Sequence, residues 1–141
     1  MSKEIKIFIV EDDFVFIHIL CDIVDRISKA YEPNGIKVTY NTFYSSKEAE
    51  FQLSKKIPDI VLLDYFIMND EMEPDTATSF LKNLKLYDDN IDAIIVSGQE
   101  DKELIYKLKR QGASEYVGKD PESLAKLEEI IKSVIDKKVS I

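Results

Sequence analysis

Hydrophobic positions along the chain switch between two periods. Short β-branched runs alternate with stretches in which apolar residues recur every three or four positions. Ile5–Val10 (IKIFIV) reads as a buried strand. In Val15–Tyr31, which follows, Phe16, Leu20, Ile23, Ile27 and Ala30 fall at helical spacing. Pro33-Asn34-Gly35 predicts a turn and Ile36–Phe43 a second strand. Ser45-x-x-Glu48 has the form of a capping box and predicts a short helix through Lys55. Pro58-Asp59 punctuates the chain before the apolar run Ile60–Leu63, which ends at Asp64. An acidic stretch comes next, then a helix over Thr76–Leu86 carrying Phe80, Leu81 and Leu84. Ala93–Val96 predicts a strand that stops at Ser97-Gly98. Glu100–Gln111 predicts a helix through Leu104, Ile105 and Leu108, with Gly112 where a C-cap belongs. Tyr116-Val117 predicts a short strand. Asp120-Pro121 pairs an N-cap with a first-turn proline, opening a last helix through Leu124, Leu127, Ile131 and Val134 or Ile135.

This is strand–helix alternation repeated five times. It predicts a parallel sheet with helices on both faces, joined by right-handed crossovers in a doubly wound sandwich. Such folds bind ligands at the carboxyl ends of their strands. The first predicted strand ends in Glu11-Asp12-Asp13, the third in Asp64 and the fourth in Ser97, and Lys119 follows the fifth. Clustered carboxylates supply oxygen ligands for a hard cation such as Mg²⁺, and one of them can serve as a nucleophile. A hydroxyl and an ammonium can hold the oxygens of a phosphoryl group. Acidic residues after a strand also cap the next helix, an alternative role for Asp13.

Composition narrows the partners. The 141 residues carry 19 basic and 27 acidic side chains, a net charge of −8. That balance argues against a nucleic-acid binder, whose affinity rests on Lys and Arg against phosphates, and against docking on an anionic membrane. Cys21 is the only cysteine, so no internal disulfide and no cysteine-based zinc site can form. The charged start Met1-Ser2-Lys3-Glu4-Ile5-Lys6 does not read as a signal peptide, and no apolar run approaches a membrane span. A cytoplasmic protein is expected, folded as one domain over residues 1–141. After the last helix about Asp136–Ile141 remains, too little for an effector domain.

Four segments together resemble the receiver domain of two-component response regulators. They are Ile9-Val10-Glu11-Asp12-Asp13, Pro58-Asp59-Ile60-Val61-Leu62-Leu63-Asp64, Ile94-Ile95-Val96-Ser97-Gly98 and Gly112-Ala113-Ser114-Glu115-Tyr116-Val117-Gly118-Lys119. The resemblance covers nearly the whole chain. It implies a flavodoxin-like (βα)5 sandwich with strand order 2-1-3-4-5. It implies Asp64 as phosphoacceptor, and Mg²⁺ held by Asp12, Glu11 and Asp64 with the backbone of Phe66. A register shifted by one would make the acidic pair Asp12 and Asp13. Ser97 and Lys119 would hold phosphoryl oxygens. Tyr116 matches an aromatic switch that turns inward when the site is phosphorylated; the competing reading is a half-buried edge aromatic. The phosphoryl donor would be a sensor histidine kinase or a histidine phosphotransfer protein. The output would be a protein contact, in an adaptor, a phosphorelay intermediate or a phosphate sink, as a monomer or a phosphorylation-dependent dimer. Beyond handling its own aspartyl phosphate, such a protein is not an enzyme. Phe14 and Val15, beside the acidic cluster, are candidate partner contacts, and His18 is a surface histidine without a catalytic role.

Two features depart from that pattern. Asp120 follows Lys119 where the family has a proline preceded by a cis bond, and Pro121 comes one later. A cis bond before a non-proline residue costs about 2.5–4 kcal/mol, so either that strain is retained or the loop takes another path. The acidic stretch over 69–75 is longer than usual and reads as a tolerated surface insertion. These departures sustain one alternative, a receiver-like interaction module that acts without phosphorylation. A hydrolase with an aspartyl nucleophile fits less well, because the candidate nucleophile ends the third strand. Phe66, two residues past Asp64, is placed by the resemblance where its ring screens an acyl phosphate from water. Spontaneous loss of the phosphoryl group is therefore expected over hours rather than seconds. Phe66→Asn should shorten that lifetime, and an unchanged lifetime would refute the screening role.

Overall fold

The computed structural model describes residues 3–68, 74–98 and 101–140, and over 66–68 and 74–76 its backbone alone. The elements run β1 (Lys3–Val10), α1 (Phe14–Tyr31), β2 (Ile36–Phe43), α2 (Ser46–Leu53), β3 (Ile60–Leu63), β4 (Phe66–Met68), β5 (Pro74–Thr76), α3 (Ala77–Tyr87), β6 (Asp92–Ser97), α4 (Lys102–Arg110), β7 (Ala113–Gly118) and α5 (Pro121–Val139). Five strands form one parallel sheet in the order β2-β1-β3-β6-β7. Counting the parallel strands alone, that is the expected 2-1-3-4-5 order of a doubly wound flavodoxin-like sandwich.

Each central strand carries an unbroken apolar run, Ile7–Val10 in β1, Ile60–Leu63 in β3 and Ala93–Val96 in β6, because both faces of the sheet are covered there. Ile7 and Ile9 of β1, Ile60 and Leu62 of β3, and Ile94 and Val96 of β6 face α1 and α5. Phe8 and Val10, Val61 and Leu63, and Ala93 and Ile95 face the other way, toward α2, α3 and α4. Alternation along each strand thus divides the interior into two cores. The α1 helix commits five residues to the first core, Phe16, Leu20, Ile23, Val24 and Ile27. By contrast, α4 buries Leu108 alone.

Local sequence sets the ends. The Ser45 hydroxyl accepts from the Glu48 amide at 3.2 Å, and the Glu48 carboxylate accepts from the Tyr44 amide at 3.0 Å. The helix this opens stops at Leu53, short of the expected Lys55. Helix α4 starts at Lys102, two residues later than expected, because Asp101 caps it by accepting from the Glu103 and Leu104 amides. Residues 99 and 100 lie outside the described residues. Gly112 takes φ +112°, and a Cβ there would approach Lys85 Cε to 3.0 Å. Strand β7 spans six residues rather than Tyr116-Val117 alone. Its polar start pairs with β6, and Ser114 donates to Asp92 at 2.6 Å. The antiparallel pair of β4 with β5 was not expected. It brackets residues 69–73 of the acidic stretch, which lie outside the described residues. None of the described helices is long and apolar enough to cross a membrane.

Helix α5 is fastened along its length. Tyr31 of α1 donates to the Lys132 carbonyl at 3.0 Å and to Asp136 at 2.6 Å. Arg26 pairs with Glu128 at 2.9 Å. Near the end of α5, Lys138 pairs with Asp92 at 2.9 Å and donates to the Asn90 carbonyl at 2.9 Å. Burial pushes the Asp92 carboxyl up, but the Ser114 hydroxyl and the Lys138 ammonium outweigh it and hold it below the ordinary aspartate range. A carboxylate held low in the folded chain stabilises above the unfolded aspartate range, and that contribution is lost as pH falls through the folded value. Asp92→Asn is expected to lower the unfolding free energy by about 1 kcal/mol at neutral pH. In urea titrations the gap from wild type should narrow toward about pH 3. A gap that does not depend on pH would remove the ionic part of this account.

Candidate functional site

The register of the sheet brings the acidic residues together. Val10 pairs with Leu63 across β1 and β3, so Glu11 and Asp64, the next residue of each, leave the sheet side by side. The ladder continues one step past both strands. The Glu11 amide donates to the Phe43 carbonyl and the Asp64 amide to the Val10 carbonyl, each at 3.0 Å. Both carboxylates therefore stand on fixed backbone. Carboxylate oxygens of Glu11, Asp12 and Asp64 all lie within 4.8 Å of one another. Asp13 does not join them. Its Oδ1 accepts from the Val15 and Phe16 amides at 2.9 and 3.1 Å and caps α1. Of the three acidic residues after β1, Glu11 and Asp12 stand with Asp64, and Asp13 serves the helix.

Lys119 reaches this group from the end of β7. Its Nζ lies 2.7 Å from Glu11 Oε1 and 3.5 Å from Asp64 Oδ1. Burial pulls this ammonium down, but Glu11 and Asp64 more than offset that and stabilise its charged form. The Lys119–Asp120 bond is not cis; no described peptide bond is. Asp120 is occupied instead as the cap of α5, accepting from the Ser123 amide at 3.0 Å and its hydroxyl at 2.7 Å. A Cβ at Gly118 would come within 2.8 Å of Asp120 Oδ1. That position is glycine because the cap folds back over it.

One ammonium does not balance three carboxylates. Glu11 is only 1% exposed, and its Oε2 is buried with no hydrogen-bond partner among the described residues. Its carboxyl is pushed up to about 8, by burial first and then by the neighbouring Asp64 carboxyl, with Lys119 opposing. Asp64 is raised as well, mainly by burial, with Asp12 adding to the rise and Glu11 and Lys119 opposing. A hard divalent cation satisfies such a set, because it supplies charge and accepts oxygen donors of this kind. The donor chemistry and the orphaned Glu11 oxygen both fit Mg²⁺, which Glu11, Asp12 and Asp64 could hold.

The remaining expected residues line the same edge. Ser97 is buried at the end of β6, and its hydroxyl shares a hydrogen bond with that of Tyr116. Tyr116 is partly buried and packs against the second core, as do Tyr65 and Leu104. Burial raises its phenol, Ser97 opposes this, and the Asp64 charge adds to it. Phe66 begins β4, and its side chain lies outside the described residues. Phe14 and Val15 are exposed at the start of α1, and Phe14 stacks on Tyr44 with ring centroids 5.7 Å apart. His18 is exposed and lies beside Phe14. Phe16 was expected only as a core residue, yet its ring lies beneath the Lys119 ammonium, 4.4 Å from Nζ to the centroid.

Solved receiver domains share this architecture. A receiver domain of a Francisella response regulator superposes with a TM-score of 0.66 at 23% identity, covering 94% of this chain and 98% of that one. A CheY-like receiver domain protein from Methanospirillum hungatei gives 0.70 at 18% identity, with 98% of each chain covered. The signal receiver domain of a DNA-binding response regulator from Colwellia psychrerythraea gives 0.72 at 23% identity, covering 94% and 98%. The chain has the receiver-domain fold. No protein-family model matches the sequence, and no curated protein matches it. In this receiver fold the acidic group occupies the carboxyl edge of the sheet, at the switch point between β1 and β3. A cation held there stabilises the folded chain by mass action, about 2.7 kcal/mol at roughly 100 times its Kd. Mg²⁺ is expected to raise the melting temperature of the wild-type protein and to leave that of Asp12→Asn unchanged. Equal shifts in both proteins would remove Asp12 from the ligand set.

Proposed function

We propose that this chain is a phosphoacceptor signalling protein of a two-component or phosphorelay system. The observation that carries the reading is the position of Asp64, one residue past a central strand, between Glu11, Asp12 and Lys119 and near the Ser97–Tyr116 pair. A phosphohistidine on a sensor histidine kinase or histidine phosphotransfer protein would be the donor. An Asp64 carboxylate oxygen forms the new P–O bond as the P–N bond breaks, and the imidazole leaves with the electron pair. Mg²⁺, when bound, supplies the positive charge that lets a carboxylate approach an anionic phosphoryl group. Lys119 already touches both Glu11 and Asp64, so its ammonium can turn to a phosphoryl oxygen without leaving the site. The Ser97 hydroxyl can donate to a second oxygen.

The signal follows from that rearrangement. Ser97 and Tyr116 are hydrogen-bonded partners, so a new acceptor for Ser97 changes what holds Tyr116. Tyr116 sits on β7 and packs against the same core as Leu104 of α4, which supports the face of α4, β7 and α5 as the output surface. This is a local charge acting on a bistable contact. The protein is read as a cytoplasmic module that acts through protein contacts, as a monomer or a phosphorylation-dependent dimer, and that turns over no metabolite.

Incubation with acetyl phosphate and Mg²⁺, followed by intact-mass measurement, tests the reading. One phosphoryl group is expected on the wild type and none on Asp64→Asn. Failure of the wild type to gain mass, with acetyl phosphate and with a phosphorylated histidine phosphotransfer domain alike, would overturn it and leave an interaction module that acts without phosphorylation.

A further inference from the structure

The Lys119 ammonium is held from two sides of different chemistry. Glu11 and Asp64 contact it through carboxyl oxygens, at 2.7 and 3.5 Å. The ring of Phe16 lies under it at 4.4 Å, within the range of an attractive cation–π contact. The setting strengthens that attraction. Phe16 is almost wholly buried and the Lys119 side chain is 25% exposed, so little water screens the pair. The ring's placement is also fixed. Asp13 accepts the Phe16 amide and locks the first turn of α1, and the ring packs in the core shared by α1, α5 and the sheet.

We propose that Phe16 is a positioning residue for Lys119, its ring face keeping the ammonium at the carboxylate site while the ammonium changes oxygen partners. The two kinds of contact behave differently when that exchange happens. An ion pair with Glu11 at 2.7 Å is directional and must lengthen as Nζ moves toward another oxygen. A ring face attracts a cation over a broad area and carries neither a charge nor a lone pair that competes with the new acceptor. Three features of one short segment thus converge on one ammonium: Glu11 binds it, Asp13 fixes the helix start, and Phe16 lies beneath it. A leucine at position 16 would fill much of the same volume without the negative ring face. The consequence for rate rests on the phosphoacceptor reading; the contact itself does not.

Two measurements on the full chain test this. The first is the NMR shift of the Lys119 ε-methylene protons, assigned by comparison with Lys119→Arg. A ring face at this distance shields them, so an upfield position is expected in the wild type and an ordinary one in Phe16→Leu. The second is the rate of phosphorylation by acetyl phosphate with Mg²⁺. Phe16→Leu is expected to slow it by about fivefold to tenfold. Replacing Phe16 with mono- and trifluorinated phenylalanine keeps the packing and weakens the ring's negative face, and should slow the reaction in graded steps. The fluorinated chains also cover the case in which Phe16→Leu does not fold. Ordinary Lys119 shifts in the wild type would overturn the proposal whether or not the protein accepts a phosphoryl group. So would a rate that ignores fluorination. If no phosphoryl group is accepted at all, the phosphoacceptor reading fails, and the Lys119 shift alone then decides the positioning claim.

Discussion

Two carboxylates forced into proximity by strand register are the constraint around which this site is arranged. Val10 and Leu63 face each other across two central strands, and the residue after each is acidic. Because the sheet ladder continues through both amides, neither backbone can relax to separate the charges. The molecule answers with Lys119 from β7, but one ammonium against Glu11, Asp12 and Asp64 leaves negative charge and a donorless Glu11 oxygen. The local destabilisation is what makes the site receptive. A group that brings positive charge, or that must be neutralised in place, finds the cost of assembling the ligands already met by the fold.

The sheet also decides where consequences of events at the site travel. It separates two cores, one with α1 and α5 and one with α2, α3 and α4. Lys119 and Tyr116 come from the same strand end, three residues apart, yet they report to different layers. Lys119 lies over Phe16, on the α1 and α5 side, whereas Tyr116 packs on the α4 side. The Lys119 ammonium and the Tyr116 ring are therefore not in competition for the same space.

Much of this was readable from residue order. The run Ile60–Leu63 shows a strand buried on both faces, and the structure places β3 over those same residues. Asp120-Pro121 marked the start of α5 through the ordinary chemistry of caps. Parallel topology followed from alternation, and topology alone brought Glu11, Asp12, Asp64, Ser97 and Lys119 to one edge. What escaped was decided in three dimensions. The short ribbon of β4 and β5 carries three residues per strand, too few to show a period. The polar start of β7 hid that strand, because Ser114 spends its hydroxyl on Asp92 rather than on water. Phe16 looked like any member of a helical apolar stripe. Its ring serves the core and faces an ammonium from a residue more than a hundred positions away, a contact that periodicity does not register. Asp13 could equally have been ligand or cap until the amides of Val15 and Phe16 were seen to occupy it.

The fastening of the outer helices is uneven. Helix α5 is tied near its middle to α1 by Arg26 and Tyr31, near its end to β6 by Asp92, and at its start by its own Asp120 cap. Helix α4 buries only Leu108 fully, with Leu104 packed in part against the same core. In mechanical terms the two faces of the sheet differ at this end, with α5 the stiff member and α4 the compliant one. A strain applied at this edge would divide between them in proportion to their give, so displacement would concentrate in α4 with α5 as the fixed frame against which it is measured.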